Sequence, residues 1–152
     1  GGLGHGSKAH ATTVGGCMSF QFPVRVYWED TDAGGIVFYA NYLKFFERAR
    51  TEWLRHLGIQ QHQLKQETGG MFVVIDTQLK YHQPAKLDDL LQVTAQMQNV
   101  GRASMLIAQQ AWRVEPDQQH TLLCEGTIRI GWVNADQMKP QRIPASLLEL
   151  FE

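Results

Sequence analysis

The segment YWEDTDAGGIVFYANY, residues 27–42, places three carboxylates, Glu29, Asp30 and Asp32, before two glycines and an aromatic-rich apolar run. If a helix begins after the glycines, its first four amides lack intrahelical acceptors and carry partial positive charge. Such amides can stabilise a developing oxyanion, and a carboxylate beside them favours hydrolysis or acyl transfer. The structural alternative is that Asp30 or Asp32 caps the turn or the helix while the glycines form a bend.

The residues that follow this segment predict a long amphipathic helix. From Phe38 to Leu57 the apolar side chains recur at steps of three and four residues, which is typical of a helix about five turns long with one buried face. Gly58 is then expected to cap its C-terminus. The opposite face still carries Leu43 and Leu54 among charged residues.

Five segments have the alternation or the composition of β-strands, the first opened by Pro23. The predicted strands span residues 23–28, 71–83, 90–100, 102–114 and 121–133. The last four are joined by short connections, which favour antiparallel hairpins because a parallel crossover needs about a dozen residues or more. Two further short helices are predicted, at residues 60–67 and from Pro144 onward.

These elements predict an α+β fold in which an antiparallel sheet of about five strands wraps around the long helix. A single curved sheet leaves its outer face and its edges uncovered. We therefore expect a homo-oligomer.

The composition indicates an ordinary globular domain. The chain has 152 residues, of which 43% are hydrophobic and 19% charged, with a formal net charge of -1. This charge gives no electrostatic attraction to nucleic acid or to an anionic membrane, so no nucleic-acid partner is predicted. Two cysteines are too few for a disulfide framework, which favours a reducing compartment and hence the cytoplasm. Cys124 is expected to be a buried structural thiol.

Residues 1–17 are interpreted as a tail, native or added, that precedes a single domain at 18–152. The tail has no apolar run long enough for a signal peptide or a membrane span, so no membrane insertion is predicted. Its two histidines, His5 and His10, are expected to be solvated. The domain has no H-x-x-x-H pair and no G-x-S-x-G motif, so neither a metal site nor a serine hydrolase is predicted.

A longer string carries a resemblance to a known family. The sequence VRVYWEDTDAGGIVFYANYLKFFERARTEWLRHLG, with KYHQPAKLDD downstream, resembles hotdog-fold proteins of the 4-hydroxybenzoyl-CoA thioesterase type. It is closer still to the acyl-CoA thioesterases associated with the Tol-Pal system of Gram-negative bacteria. The similarity runs from about Phe22 through Pro144. It implies a hotdog fold, dimers or tetramers with active sites at the dimer interface, and hydrolysis of a small-molecule acyl-CoA to a free acid and CoA without a cofactor.

The resemblance also implies a role for one of the acids. In the family, the second Asp of the D-x-D pair is the catalytic carboxylate, and this position is Asp32. It would act either as a nucleophile that forms a mixed anhydride or as a general base for water. The backbone N–H of Tyr39 is the leading candidate for the oxyanion donor. The chain departs from many Tol-Pal-associated relatives at Trp28, where they carry Tyr, and at Tyr39, where they carry His.

Further residues are predicted to bind the substrate. Gly35 is expected to be one of them, and Asn41 either orients the substrate or caps the helix region. Arg102 and Ser104 resemble a position that borders the CoA site in relatives, or else form a plain hairpin. His82 could contact substrate, although a structural role at a strand end is favoured.

Other charged residues are interpreted as surface groups. Glu47 and Glu52 lie off the aromatic stripe of the long helix, with Arg48 and His56 as possible partners of Glu52. Lys80 and Arg129 could meet CoA phosphates, but basic residues on strands are usually exposed surface charge.

Two other functions remain open at this point. The protein could be a module that binds acyl-CoA or an acyl-carrier partner and catalyses little. It could also be a hotdog dehydratase or hydratase, whose chemistry uses a histidine with an acid, although no such pair is evident at the junction between the loop and the helix.

Overall fold

The structure is a computed structural model that describes residues 10–14 and 17–151. One antiparallel sheet has the strand order β1-β2-β4-β5-β6-β3, and one long helix packs on its inner face. The strands are β1 (His10–Val14), β2 (Cys17–Arg25), β3 (Gly70–Tyr81), β4 (Leu90–Val100), β5 (Ser104–Val114) and β6 (His120–Asn134). The helices are α1 (Asn41–His56), α2 (Gln61–Thr68) and α3 (Ala145–Leu148), the last followed by a 3₁₀ turn, Glu149–Phe151. The predicted α+β class is confirmed.

Helix α1 buries the aromatic face that its periodicity predicts. Phe45, Phe46 and Ala49 are fully buried, and the helix packs against β2, β4 and β5. Burying each large apolar side chain contributes about 1.5–3 kcal/mol, so this face fixes the helix on the sheet. Gly58 caps the helix as expected, since it adopts a left-handed backbone with φ of 92° and its N–H donates to the Arg55 carbonyl at 2.9 Å.

Strand β2 differs from its prediction at both ends. It begins at Cys17 instead of Pro23, and it ends at Arg25, so residues 26–28 have already left the sheet. Pro23 is tolerated inside the strand because β2 pairs with β1 only as far as Gln21. Within residues 10–14 and 17–151, β2 pairs beyond that point with β4 alone, so among these residues a missing N–H on the other side removes no ladder hydrogen bond.

Strand β1 lies within the segment that the sequence interpretation assigned to a tail. It runs antiparallel to β2, with His10 opposite Gln21 and Val14 opposite Cys17. Residues 1–9, which include His5, lie outside the described residues, and the division at 17 stays a prediction. In the described residues the sheet therefore has six strands, of which the five longer ones correspond to the predicted set.

Strand β3 forms one edge of the sheet and contains a β-bulge. Its register on β6 shifts between Val74 and Asp76, so Ile75 is an extra residue on this strand. Val74 and Ile75 are both more than half exposed. The two strands approach closely at Gly126, where an added Cβ would meet the Gln78 carbonyl oxygen. The edge of the sheet thus exposes apolar surface while its pairing with β6 is tight.

The helices in the described ranges, 10–14 and 17–151, include none long and apolar enough to span a membrane.

Candidate active site

The loop between β2 and α1, residues 26–40, is here called the acid loop. Asp30 lies in it and is buried. Its Oδ2 accepts a hydrogen bond from the Tyr27 N–H at 2.9 Å, and its Oδ1 accepts one from the Asn41 side-chain amide at 2.8 Å. Asn41 is the first residue of α1 and is also buried. Asp30 therefore ties the acid loop to the start of the helix, which is the structural role that the sequence left open for one of the two aspartates.

Asp32 is exposed and has its two carboxylate oxygens in different environments. Oδ1 accepts hydrogen bonds from the N–H groups of Gly34 at 2.8 Å and Ile36 at 3.3 Å. Oδ2 has no hydrogen-bond partner in the described ranges. Gly35, with φ of 75°, supplies the left-handed conformation that closes this turn. The turn holds the carboxylate in place while leaving one oxygen available for chemistry.

Asp32 lines a cleft of about 540 Å³ between the acid loop, the start of α1 and the segment that follows β3. Three tyrosine rings form a continuous wall. The ring centroids of Tyr39 and Tyr81 are 4.8 Å apart, and those of Tyr81 and Tyr42 are 5.6 Å apart. The Tyr81 hydroxyl also donates to the Tyr39 carbonyl at 3.3 Å. The cleft therefore has one carboxylate and a largely aromatic lining.

Two backbone amides without acceptors in the described ranges belong to Tyr39, which lines the same cleft, and to its neighbour Ala40. Hydrogen bonding at the start of α1 begins with the N–H of Asn41, which donates to the Phe38 carbonyl at 2.9 Å. The N–H of Tyr42 donates to the Tyr39 carbonyl at 3.2 Å. The N–H groups of Tyr39 and Ala40 have no acceptor within the part of the chain that the structure describes. Because they precede a sixteen-residue helix, they lie at its partially positive end. An amide of Tyr39 can therefore donate to a ligand in the cleft.

The structure separates the remaining predicted substrate-binding residues. Gly35 belongs to the turn of Asp32, whereas the amide of Asn41 is occupied by Asp30 and does not line the cleft. Arg102 and Ser104 lie where β4 ends and β5 begins, at the end of the sheet opposite the acid loop. Since eleven strand residues span roughly 35 Å, these two residues and Asp32 are not brought together within one chain.

The other charged candidates lie outside the cleft lining. Glu47 is exposed, and Glu52 pairs with Arg55 at 3.4 Å instead of with Arg48 or His56. Arg129 donates to the Ser104 hydroxyl at 3.3 Å.

Two features near the cleft bear on the sequence interpretation. His82 lines the cleft, and its Nε2 lies 2.7 Å from Oε2 of Glu125 on β6, a partner that the sequence did not reveal. Cys124 is fully buried, and this burial raises the pKa of its thiol to about 12. The prediction of a buried structural thiol at Cys124 agrees with this environment, since a thiol that stays protonated is a poor nucleophile.

Within residues 10–14 and 17–151, no three His, Cys, Asp or Glu side chains lie close enough to hold a metal ion. The sequence predictions of no metal and no cofactor stay predictions.

The family model for the thioesterase superfamily matches residues 34–119, more than half of the chain. The acyl-CoA thioesterase YbgC of Haemophilus influenzae is 43% identical over 132 residues, which cover 87% of this chain and 93% of that protein. This chain belongs to the thioesterase superfamily. Another superfamily member, the acyl-CoA thioester hydrolase YbgC of Escherichia coli O157:H7, is 40% identical over 88% of this chain and 96% of its own length.

A solved structure of the superfamily establishes the fold. A mutant 4-hydroxybenzoyl-CoA thioesterase in complex with 4-hydroxybenzoyl-CoA superposes with a TM-score of 0.81 at 21% identity, over 88% of this chain and 99% of that one. The hotdog fold implied by the sequence resemblance is thereby confirmed. The resemblance to acyl-CoA thioesterases is confirmed by the family model and by the relatives named above, whereas an association with the Tol-Pal system stays a prediction.

Replacing Asp30 tests the link between the acid loop and α1. Asp30→Ala leaves the buried Asn41 amide and the Tyr27 N–H without their acceptors, so we expect the free energy of unfolding to fall by about 1–3 kcal/mol. Urea denaturation followed by circular dichroism measures this change. Asp32→Asn, at an exposed position, should lower the free energy of unfolding by clearly less. Equal stability of Asp30→Ala and the wild type would contradict the structural role of Asp30.

The reactivity of Cys124 gives a second test. In a Cys17→Ser variant, we expect no thiol to react with a disulfide-exchange dye at pH 8, because Cys124 is inaccessible and its raised pKa keeps the thiolate fraction negligible. One thiol per chain should react after unfolding in urea. Stoichiometric labelling of the folded variant would show that this thiol is accessible.

Proposed function

We propose that this protein is an acyl-CoA thioesterase that hydrolyses a CoA thioester to a free acid and CoA. The observation that carries the proposal is the free Oδ2 of Asp32 in the same cleft as the unbonded N–H of Tyr39. Two superfamily members named as acyl-CoA thioesterases or thioester hydrolases, at 40–43% identity over nearly their whole length, support the same activity.

In this mechanism the thioester carbonyl oxygen accepts a hydrogen bond from the Tyr39 N–H. The partial positive charge at the start of α1 then stabilises the negative charge that develops on this oxygen. The donor is a backbone group, so it does not depend on which side chain occupies position 39. The neighbouring Ala40 N–H offers a second donor of the same kind.

Asp32 supplies the second part of the mechanism, by one of two routes. As a nucleophile, Oδ2 adds to the carbonyl carbon and expels the thiolate, and water then opens the mixed anhydride. As a general base, Oδ2 takes a proton from a water molecule that adds to the same carbon, and the tetrahedral intermediate then breaks its carbon–sulfur bond and expels the thiolate. In both routes the hydrogen bonds from Gly34 and Ile36 to Oδ1 keep the carboxylate oriented.

The cleft also indicates where the acyl group binds. Phe38, Tyr39, Tyr42 and Tyr81 line it, so the surface beside Asp32 is mainly aromatic and apolar. An acyl group is apolar, and its transfer from water to this surface contributes to binding in proportion to the area buried.

Asp32→Asn tests the proposed function. The substitution keeps an oxygen for the turn but removes the anionic base, so we expect thiol release from acyl-CoA to fall by about a hundredfold or more. The measurement is a disulfide-exchange dye assay over a panel of short, long and aromatic acyl-CoAs.

A matched control is Asp117→Asn. Asp117 accepts a comparable turn hydrogen bond, from the Gln119 N–H at 3.0 Å, in the hairpin between β5 and β6 and outside the cleft lining. The Asp117→Asn variant should retain wild-type turnover. An Asp32→Asn variant that is as active as the wild type would refute the catalytic role. Tight acyl-CoA binding without thiol release from the wild type would instead identify a binding module.

We further propose that the protein is a homodimer or a higher homo-oligomer that pairs through the β3 edge. Strand β3 has twelve residues, its outer edge has no partner strand in the described part of the chain, and Val74 and Ile75 expose apolar surface on it. Long exposed edges of this kind favour pairing with another strand. A second copy would also allow Arg102 and Ser104 to approach a cleft that they do not reach within their own chain. The cytoplasmic location stays a prediction.

Charges on the β3 edge should weaken this assembly. The double variant Val74→Lys/Ile75→Lys places two charges on the edge that the proposed assembly would bury, and burying unpaired charges is costly. We therefore expect its mass in sedimentation velocity at micromolar concentration to shift toward that of a single chain. Val100→Lys, an exposed apolar position at the end of β4, is the control and should keep the wild-type mass. A wild type that sediments as a single chain at tens of micromolar would contradict the proposal.

A further inference from the structure

His82 and Glu125 form a side-chain pair that is anchored on both partners. His82 directly follows β3, and its backbone N–H donates to the Leu123 carbonyl of β6 at 2.8 Å. Glu125 lies on β6 opposite Lys80, so strand pairing brings the two side chains together although 43 positions separate them. His82 Nε2 and Glu125 Oε2 are 2.7 Å apart, with the side chains 29% and 40% exposed.

This contact determines how the two ring nitrogens are used. Glu125 accepts the hydrogen of Nε2, because an ionised carboxylate is an acceptor only. Nδ1 has no hydrogen-bond partner in the described ranges, and it is the nitrogen left to act on a ligand. A carboxylate in this position orients the imidazole and compensates a positive charge on it, as in acid–histidine pairs of hydrolases.

The pair lies at the cleft that contains Asp32. His82 lines this cleft from the β3 side, next to Tyr81, whereas Asp32 and the Tyr39 amide line it from the acid loop. Hydrolysis of a thioester requires an attack on the carbonyl carbon and the departure of a thiolate. The acid-loop wall provides for the attack, and the opposite wall holds His82, a residue type that commonly serves as a general acid or base.

We propose that His82, oriented by Glu125, protonates the sulfur of the departing CoA. The carbon–sulfur bond breaks, its electron pair goes to sulfur, and sulfur takes the proton from Nδ1 of His82. The hydroxyl of the consumed water ends in the acid product, and its proton restores the imidazolium through solvent. The step needs no further reactant, and it rests on the proposed thioesterase function.

The dependence on the leaving group tests this role. We compare His82→Gln with the wild type on a CoA thioester and on the thiophenyl ester of the same acid. Aryl thiols are much stronger acids than alkyl thiols, so a thiophenolate departs without protonation. His82→Gln should lower kcat by roughly tenfold or more for the CoA thioester and leave kcat for the thiophenyl ester nearly unchanged. Asp32→Asn should lower both.

Two more variants complete the experiment. Glu125→Gln removes the charge that orients the imidazole while leaving His82 in place, and it should show a smaller loss with the same preference for the thiophenyl ester. His62→Gln, exposed on α2, should be indistinguishable from the wild type with both esters.

The outcomes separate this role from the thioesterase function. Equal losses with both esters, or no loss in His82→Gln and Glu125→Gln, would overturn the proton-donor role alone. A folded wild type that hydrolyses neither ester would contradict the thioesterase function and this role with it.

Discussion

The hydrogen bond between the Asp30 carboxylate and the Asn41 side-chain amide is the contact on which the rest of the cleft depends. It joins the acid loop to the first residue of α1, so the turn that holds Asp32 and the amides that precede the helix are positioned by one buried pair. Buried polar groups are costly when unpaired. Loop conformations that separate Asp30 from Asn41 are therefore disfavoured. The position of the exposed Asp32 is thus determined largely by its buried neighbour two residues earlier.

The cleft distributes its chemical groups over two walls. The acid loop is held by Asp30 and by its own turn, and it contributes a carboxylate and backbone amides. The opposite wall follows β3 and is held by pairing with β6, and it contributes Tyr81 and His82. The two walls also contact each other, since the Tyr81 hydroxyl donates to the Tyr39 carbonyl at 3.3 Å and the Val37 N–H donates to the Ala85 carbonyl at 2.9 Å. This arrangement allows members of a superfamily to share a fold while differing in the groups around the reacting carbonyl.

The sequence predicted the elements whose patterns are local. The periodicity of α1 and the alternation of β3 to β6 are long enough to identify, and the motif around Asp32 pointed to the wall where the amides lie. The sequence could not show which of Asp30 and Asp32 is buried, because both fit a turn and their burial depends on the contact with Asn41. Glu125 escaped notice because its pairing with His82 follows from the register of β3 on β6, which no local pattern records. Strand β1 was missed because its alanine and threonines show no apolar alternation.

The extra residue at Ile75 changes the numbering of the inward positions of β3 while the pairing with β6 continues. Before the bulge Phe72 lies opposite the buried Trp132, and after it Thr77 and Tyr81 lie opposite the buried Ile128 and Cys124. The inward positions thus change from even to odd numbers at this point, as the two-residue period of a strand requires. Losing Ile75 would remove the bulge and restore one-to-one pairing, with Thr77 and Tyr81 still opposite Ile128 and Cys124. The bulge therefore takes up one residue of strand length, so a deletion at this position would leave the side chains that β3 presents to the cleft unchanged.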